Sequence, residues 1–474
     1  MTIARACRRL RLMAAVSAAM AAWHACTVPP AAAAEDVLTA AAARELVTAA
    51  AARPSVHAER PELDAALEAA DVDEAQRARL WEAVDAAVLP GAGSQLDGFL
   101  FLTREPEWLA LRDRFAEYLD IAAPAIAPDA IREFQSYGGV ITLSGLARPT
   151  PALLAALAGF GGEDWGTALE LPAVTTLTPE IAAGLAQTEC LVIMPRLDGL
   201  SVPSARALAA HAGVGVVLGG LDRLEPEAAA ALAELRSMRG MLLPDLEALD
   251  SLQLAGRLAQ QDHVFLPKVK RLTPEIARGL APNGGGELSL PGLETLAPDV
   301  AAILAASGYF GITLPGTLEP QPAAALVGHN GPLILAGRQP PRAETAAALA
   351  RHPGEIRLPD LIALPADVAA ALAPHTGLLV CEQLTEIPPG LATSLAKHRG
   401  GLWLGGVRTI DPEAARILAT CPGPLALPGL EAVSPRALEA LLAKQDLEIP
   451  PRESLTIVPA ADGSSDDFTT PAGR

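Results

Sequence analysis

The chain has 474 residues, more than one compact core accommodates, so several domains or an elongated array of modules is expected. Hydrophobic residues make up 50%, charged ones 19% and aromatics 3%, which excludes a wholly disordered chain and predicts a core of Ala, Leu, Val and Ile. Lys+Arg 36 against Asp+Glu 55 gives a formal charge of −19, which argues against binding nucleic-acid phosphates.

Residues 1–34 read as an export signal. A basic stretch carrying Arg5, Arg8, Arg9 and Arg11 precedes a short apolar run, and Ala32-Ala33-Ala34 stands before Glu35. The run is too short to cross a bilayer, so no stable membrane span is expected after cleavage. The expected location is periplasmic, cell-surface or secreted, with lipidation at Cys26 as an alternative processing route. Cleavage leaves 32 Lys+Arg against 55 Asp+Glu, a charge of −23, and three cysteines: Cys190, Cys381 and Cys421. An odd, widely spaced set is no disulfide framework, and small buried hydrophobes are expected.

Residues 35–138 carry helical apolar spacing at 40–53, 73–88 and 106–121, predicting a helical N-terminal cap or domain. From residue 139 to 450 the chain repeats itself. The second aliphatic residue of a recurring L-x-L falls at Leu143, Leu171, Ile193, Leu218, Leu243, Leu266, Leu290, Leu314, Leu335, Leu358, Val380, Leu404, Leu427 and Ile449. The mean step is about 23.5 residues, the period of a stacked repeat. L-x-L predicts a short strand, ended by Pro172, Pro244, Pro267, Pro291, Pro315, Pro359 or Pro428. Thr178-Pro179-Glu180, Glu225-Pro226-Glu227, Thr273-Pro274-Glu275 and Asp411-Pro412-Glu413 predict helix starts: a polar cap, a proline with preset φ, and an acid at the positive end. Neither a three-residue strand nor a two-turn helix hides its apolar face alone, so stacked coils are required. Strands spaced about 4.8 Å apart and helices about 10 Å apart predict curvature with the sheet on the concave side. Residues 451–474, ending DGSSDDFTTPAGR, predict a flexible acidic tail.

These repeats resemble the leucine-rich-repeat family, closest to its short variety with Gly292-Leu293-Glu294-Thr295-Leu296 before a helix. They also look like repeats in exported proteins of bacterial phyla such as planctomycetes. The resemblance implies an α/β solenoid, with a parallel sheet on the concave face and short helices on the convex face, presenting a surface for protein or glycan recognition. One departure is clear. The asparagine of the family motif is replaced by Leu146, Val174, Leu221, Leu246, Val269, Leu293 and Leu361, and only Asn283 and Asn330 occur in the chain. Loop amides must find other acceptors.

Two polar or exposed patterns stand out. His211, His329, His352, His375 and His398 recur near helix ends, the last four at steps of 23. They are expected to bond helix-terminal carbonyls and suit the helix dipole; a metal- or proton-sensing ladder is the alternative. The middle residue of each L-x-L is expected on the concave face: Thr142, Glu170, Val192, Val217, Leu242, Phe265, Ser289, Thr313, Ile334, Arg357, Leu379, Trp403, Ala426 and Glu448. Val192 to Phe265 forms an apolar block, and Leu379 with Trp403 a smaller one. The expected binding residues are Val192, Val217, Leu242, Phe265, Ile334, Arg357, Leu379 and Trp403, with Phe265 and Trp403 as anchors for a protein or peptide partner. No H-E-x-x-H, G-x-S-x-G, P-loop or paired C-x-x-C occurs, so no cofactor, metal or catalytic residue is expected. The resulting expectation is a non-enzymatic recognition scaffold of the cell envelope or exterior. Its alternatives are an enzyme with its active site in 35–138 and a structural envelope component.

Overall fold

The computed structural model describes residues 37–53, 60, 64, 118–135, 137, 139–161, 167–282 and 285–458. The expected export signal, the expected helix at 73–88 and residues 459–474 lie outside the described residues. The chain divides into two compact units, one running to Leu293 and the other starting at Glu294. Both are made of repeated strand–turn–helix coils with parallel strand pairing. Among the described residues no helix is long and apolar enough to cross a membrane.

In the first unit a helix spans Ala40–Ala51, within the predicted 40–53, and Thr39 Oγ1 accepts from the Ala42 amide at its start. The strands β1 (Tyr118–Asp120), β2 (Val140–Thr142), β3 (Ala168–Glu170), β4 (Leu191–Met194), β5 (Gly215–Leu218) and β6 (Met241–Leu242) follow in chain order as one parallel sheet. β7 (His263–Phe265) pairs in parallel with β8 (Glu287–Ser289). Residues 118–120 were expected to finish a helix over 106–121, and they form a strand. Tyr118 and Leu119 are buried, and all three residues pair with β2, so tertiary pairing overrides local helical spacing. Parallel pairing therefore begins ahead of residue 139.

The second unit continues with β9 (Gly311–Pro315), β10 (Leu333–Ala336), β11 (Ile356–Arg357), β12 (Leu379–Cys381), β13 (Leu402–Leu404), β14 (Thr409–Ile410), β15 (Leu425–Ala426), β16 (Ala432–Val433), β17 (Leu447–Glu448) and β18 (Thr456–Ile457). β9 to β13, then β15 and β17, pair in parallel as the main ladder. β14, β16 and β18 form a second ladder along the turns that lead into the helices. The start of the expected flexible tail is thus structured, with β18 pairing to β16.

Helix starts follow the capping rule in most coils. Thr178 and Thr273 accept from the amides of Ile181 and Ile276, each at 3.3 Å. Asp411 accepts from Glu413 at 2.8 Å and Ala414 at 3.3 Å. Glu225 makes no such bond; its longer side chain does not return to the helix amides as a Thr or Asp side chain does. The leucines of strand and helix close the core: Leu218, Leu232, Leu349, Leu395, Leu404 and Leu418 have no exposed surface.

Loop amides that an asparagine ladder would have served find two other acceptors. One is a backbone carbonyl a coil away, as when the amides of Glu247, Lys270 and Glu431 donate to Asp222, Glu247 and Arg408. The other is an aspartate from the following coil: Gly220 and Gly337 amides donate to Asp245 and Asp360 at 2.8 and 2.7 Å.

The coils approach most closely before each strand. A Cβ at Gly377, Gly400 or Gly423 would lie 2.1, 1.8 or 2.0 Å from the carbonyl oxygen of Gly354, Gly377 or Gly400 in the coil before. Gly390, on an exposed helical turn, would meet nothing within 4 Å. Gly400→Ala is therefore expected to destabilise the second unit by about 1–3 kcal/mol through overpacking. Gly390→Ala should stabilise it by about 0.5–1 kcal/mol through reduced chain entropy. Urea unfolding midpoints of the two variants check this opposition of sign.

Candidate functional site

Alternation along a strand sends every second side chain to the outer face of its sheet, away from the helices. In the second unit the pairing register places Thr313, Ile334, Arg357, Val380, Trp403, Ala426 and Glu448 in one outer row. In the first unit the row is Asp120, Thr142, Glu170, Ile193, Val217 and Leu242, while Phe265 and Ser289 face each other on β7 and β8.

Two expected binding residues are displaced by one position. Val192 pairs with Val216, and Leu379 pairs with Leu402; both lie in core rows with no exposed surface. Ile193 and Val380 take the outer positions. Leu191-Val192-Ile193-Met194 and Leu378-Leu379-Val380-Cys381 are apolar throughout, so local alternation cannot set the phase of the strand. A different signal does. Leu333, Ile356, Leu379 and Leu402 each follow a histidine of the 23-residue register by four.

The outer row of the first unit is enclosed from Thr142 to Leu242, while Asp120 at its edge is exposed. Ile193, Val217 and Leu242 are 1%, 3% and 2% exposed, and Thr142 Oγ1 donates to the buried Glu170 Oε2 at 2.7 Å. The expected apolar block is therefore withdrawn from water as far as Leu242, as contiguous apolar area on one face favours. Phe265 is half-buried.

The second unit keeps its outer row partly open. Thr313, Ile334, Arg357 and Trp403 are half-exposed and Glu448 is exposed, whereas Val380 and Ala426 are closed in by their neighbours. Leu378, missed by the sequence reading, adds an apolar side chain 39% exposed. Trp403 stands between Gly401 and Gly405 along its strand, which leaves space beside the ring; its Cη2 lies 3.8 Å from where a Cβ of Gly405 would be. Arg357 Nε donates to Glu355 Oε1 beside this patch. The arrangement joins an aromatic ring, two aliphatic side chains and one ion pair on the strand face, which suits packing against another surface.

Among the described residues the three cysteines, Cys190, Cys381 and Cys421, are buried. Burial pushes Cys190 and Cys381 up to about 12 and raises Cys421 as well.

The histidines of the second unit form a stack. His329 and His352 rings lie 6.2 Å apart and 9° from parallel, His352 and His375 6.5 Å and 4°, and His375 and His398 5.4 Å and 39°. Nε2 of His352, His375 and His398 faces the carbonyls of Gly331, Gly354 and Gly377 at 3.0, 2.9 and 3.3 Å. Each of these three rings thus bonds the coil before its own. With a carbonyl as acceptor Nε2 carries the hydrogen in His352 and His375. In His398 Nδ1 also faces a carbonyl, that of Leu372 at 3.2 Å, and a neutral ring donates to only one of the two. Burial lowers all four pKa values, that of His352 to about 4. Burial favours the neutral rings over cations at a helix dipole; His352, His375 and His398 tie neighbouring coils, and His398 also bonds a helix-terminal carbonyl, that of Leu372. His211, in the first unit, bonds Gly215 of its own coil at 3.2 Å. Parallel rings six ångströms apart also hold their nitrogens too far apart to share a zinc ion, whose Zn–N bonds are about 2 Å long.

No known protein family matches the sequence, and no curated protein matches it. Solved structures are similar in fold. A chain of the Toll–Spatzle complex of Drosophila is 14% identical, with a TM-score of 0.41 over 70% of this chain and 49% of that one. An LRR protein of Leptospira interrogans is 16% identical, with a TM-score of 0.36 over 70% of this chain and 87% of its own. A chain of the yeast Rad7 and Elc1 complex is 12% identical, with a TM-score of 0.34 over 71% and 81%. This chain spans about half the length of the Toll–Spatzle chain it matches.

Trp403 and Leu404 are adjacent yet should behave oppositely. Leu404→Ala removes a fully buried side chain and is expected to cost about 2–5 kcal/mol. Trp403→Ser, on the half-exposed face, should cost only about 1 kcal/mol. Equilibrium unfolding of both variants measures the difference.

Proposed function

We propose that the protein is a non-enzymatic recognition scaffold that binds a protein or peptide partner on the outer strand face of its second unit. The observation that supports this reading most is the contrast between the two outer rows. One is enclosed, and the other leaves Trp403, Ile334 and Leu378 partly exposed on a rigid ladder. An accessible aromatic ring fixed on a strand, bordered by aliphatic side chains and an ion pair, has the composition of an interface anchor. The curvature expected from strand and helix spacing makes this the concave face. The basic stretch, apolar run and Ala32-Ala33-Ala34 before Glu35 support an exported protein acting at the cell envelope or exterior.

The test is capture of a partner from the native envelope by chemical cross-linking to the full chain, compared between the natural sequence and a Trp403→Ser, Arg357→Ser variant. The variant is expected to fold and to lose at least tenfold in capture, as hot-spot residues do. A cross-linked partner retained in full by the folded variant overturns the assignment of this face.

A further inference from the structure

The residue three positions after the last leucine of each helix donates its amide to that leucine's carbonyl in coil after coil: Thr188, His211, Gln261, Ser307, His329, His352, His375, His398, Cys421 and Lys444. The position tolerates side chains as different as Thr188, Leu235, Gln261 and Ser307, yet four consecutive coils of the second unit fill it with histidine. Those four rings are at most 2% exposed and stack ring on ring. Three of them reach across to a glycine carbonyl of the preceding coil, and His398, at the end of the stack, also faces the Leu372 carbonyl with Nδ1 at 3.2 Å. Nδ1 of His352 and of His375 has no hydrogen-bond partner among the described residues. A proton added there would sit buried, without an acceptor, beside a ring that can also be charged.

We propose that this imidazole stack is an acid-triggered release: neutral rings tie the coils from Leu326 to Gly400 together, and their protonation unties those coils as a group. The inference stands apart from the recognition reading and does not depend on it.

The surroundings supply no counter-charge. Arg351, Lys397 and Arg399 flank the histidines along the chain and are exposed. Cys421 continues the register beyond His398, and Lys444 Nζ donates to its carbonyl at 2.8 Å. On the other side stand Ser307, whose hydroxyl donates to Leu304, and the buried phenol of Tyr309. The helices Ala343–Leu349 and Ala366–Leu372 carry one acid each, Glu344 and Asp367, in their first turns, at the end away from the rings. The helix Pro389–Leu395 carries none in its first turn, and Glu413 of Pro412–Leu418 is bonded to Arg416. Glu355 is engaged by Arg357, and Asp360 by the Gly337 amide. The charges that reach His352 come from His329 and His375, and the charge that reaches His375 comes from His398.

The sign follows from linkage. The opened coils bind protons below the free imidazole value of about 6.5, and the closed coils do not until far lower pH. Closure is therefore at full strength above about pH 6.5 and is lost as pH falls toward the lowered folded values. Each ring raises the opening constant by up to about tenfold per pH unit within that window.

Amide hydrogen exchange of the full chain at about pH 7 and about pH 5, corrected for intrinsic rates, tests this against residues 168–280 as an internal reference. Protection over 326–400 is expected to fall at least about a hundredfold more than in the reference. His352→Gln keeps a polar residue of the kind already used at Gln261 but does not titrate, and should shrink that difference by up to about thirtyfold. Parallel loss of protection in both regions overturns the proposal, as does an undiminished difference in a folded variant. Should the variant fail to fold, imidazole C2–H titration of the natural protein decides. Rings that stay neutral until the region opens support the release, and titration near 6.5 with protection retained overturns it.

Discussion

The structure depends on one constraint: a coil of about 23 residues must place its strand beside that of the next coil in parallel register. A strand of two to five residues leaves its hydrogen-bonding groups and one apolar face unsatisfied, and a helix of two turns leaves its inner stripe exposed. Only an adjacent copy supplies both partners. A glycine α-carbon is set close against a backbone carbonyl one coil earlier, as at Gly331, Gly377 and Gly400. Any Cβ there would hold the strands apart, which is why H-x-G recurs with the repeat.

The polar inventory is spent on the same task. Aspartates after the strands accept loop amides from the coil before, and β14, β16 and β18 add a second backbone ladder. Ion pairs such as Lys268–Asp245, Arg342–Glu319 and Arg408–Glu431 also join residues one coil apart. These exposed pairs contribute little energy individually, but they specify the same register as the buried bonds. The histidine stack is the buried member of this set and the one whose charge changes with pH.

The two units use the outer face of their sheets differently. The first encloses Thr142, Glu170, Ile193, Val217 and Leu242; the second leaves Ile334, Arg357 and Trp403 at the boundary with water. The chemical makeup of the rows does not explain this, since the enclosed row contains a carboxylate and the open one contains an indole.

Much of the fold was legible in the residues. Recurring leucines, prolines at helix starts and Thr or Asp caps each act over a few residues, so the period, the helices and the core stripes follow from local chemistry. Phase was legible where polar and apolar residues alternate, as in Ile356-Arg357-Leu358, and in the spacing of four residues after a register histidine, as at Leu379 and Leu402. In the wholly apolar runs at Leu191–Met194 and Leu378–Cys381 it was fixed by the partner strand, because backbone pairing between coils has a definite register and uniform hydrophobicity has none. Residues 118–120 became a strand for the same reason: β2 offered a partner. The burial of Val217 and Leu242, the reach of each histidine into the preceding coil and the neutrality of the rings required the tertiary structure. They arise from groups one or more coils apart in sequence, brought together only when the coils stack.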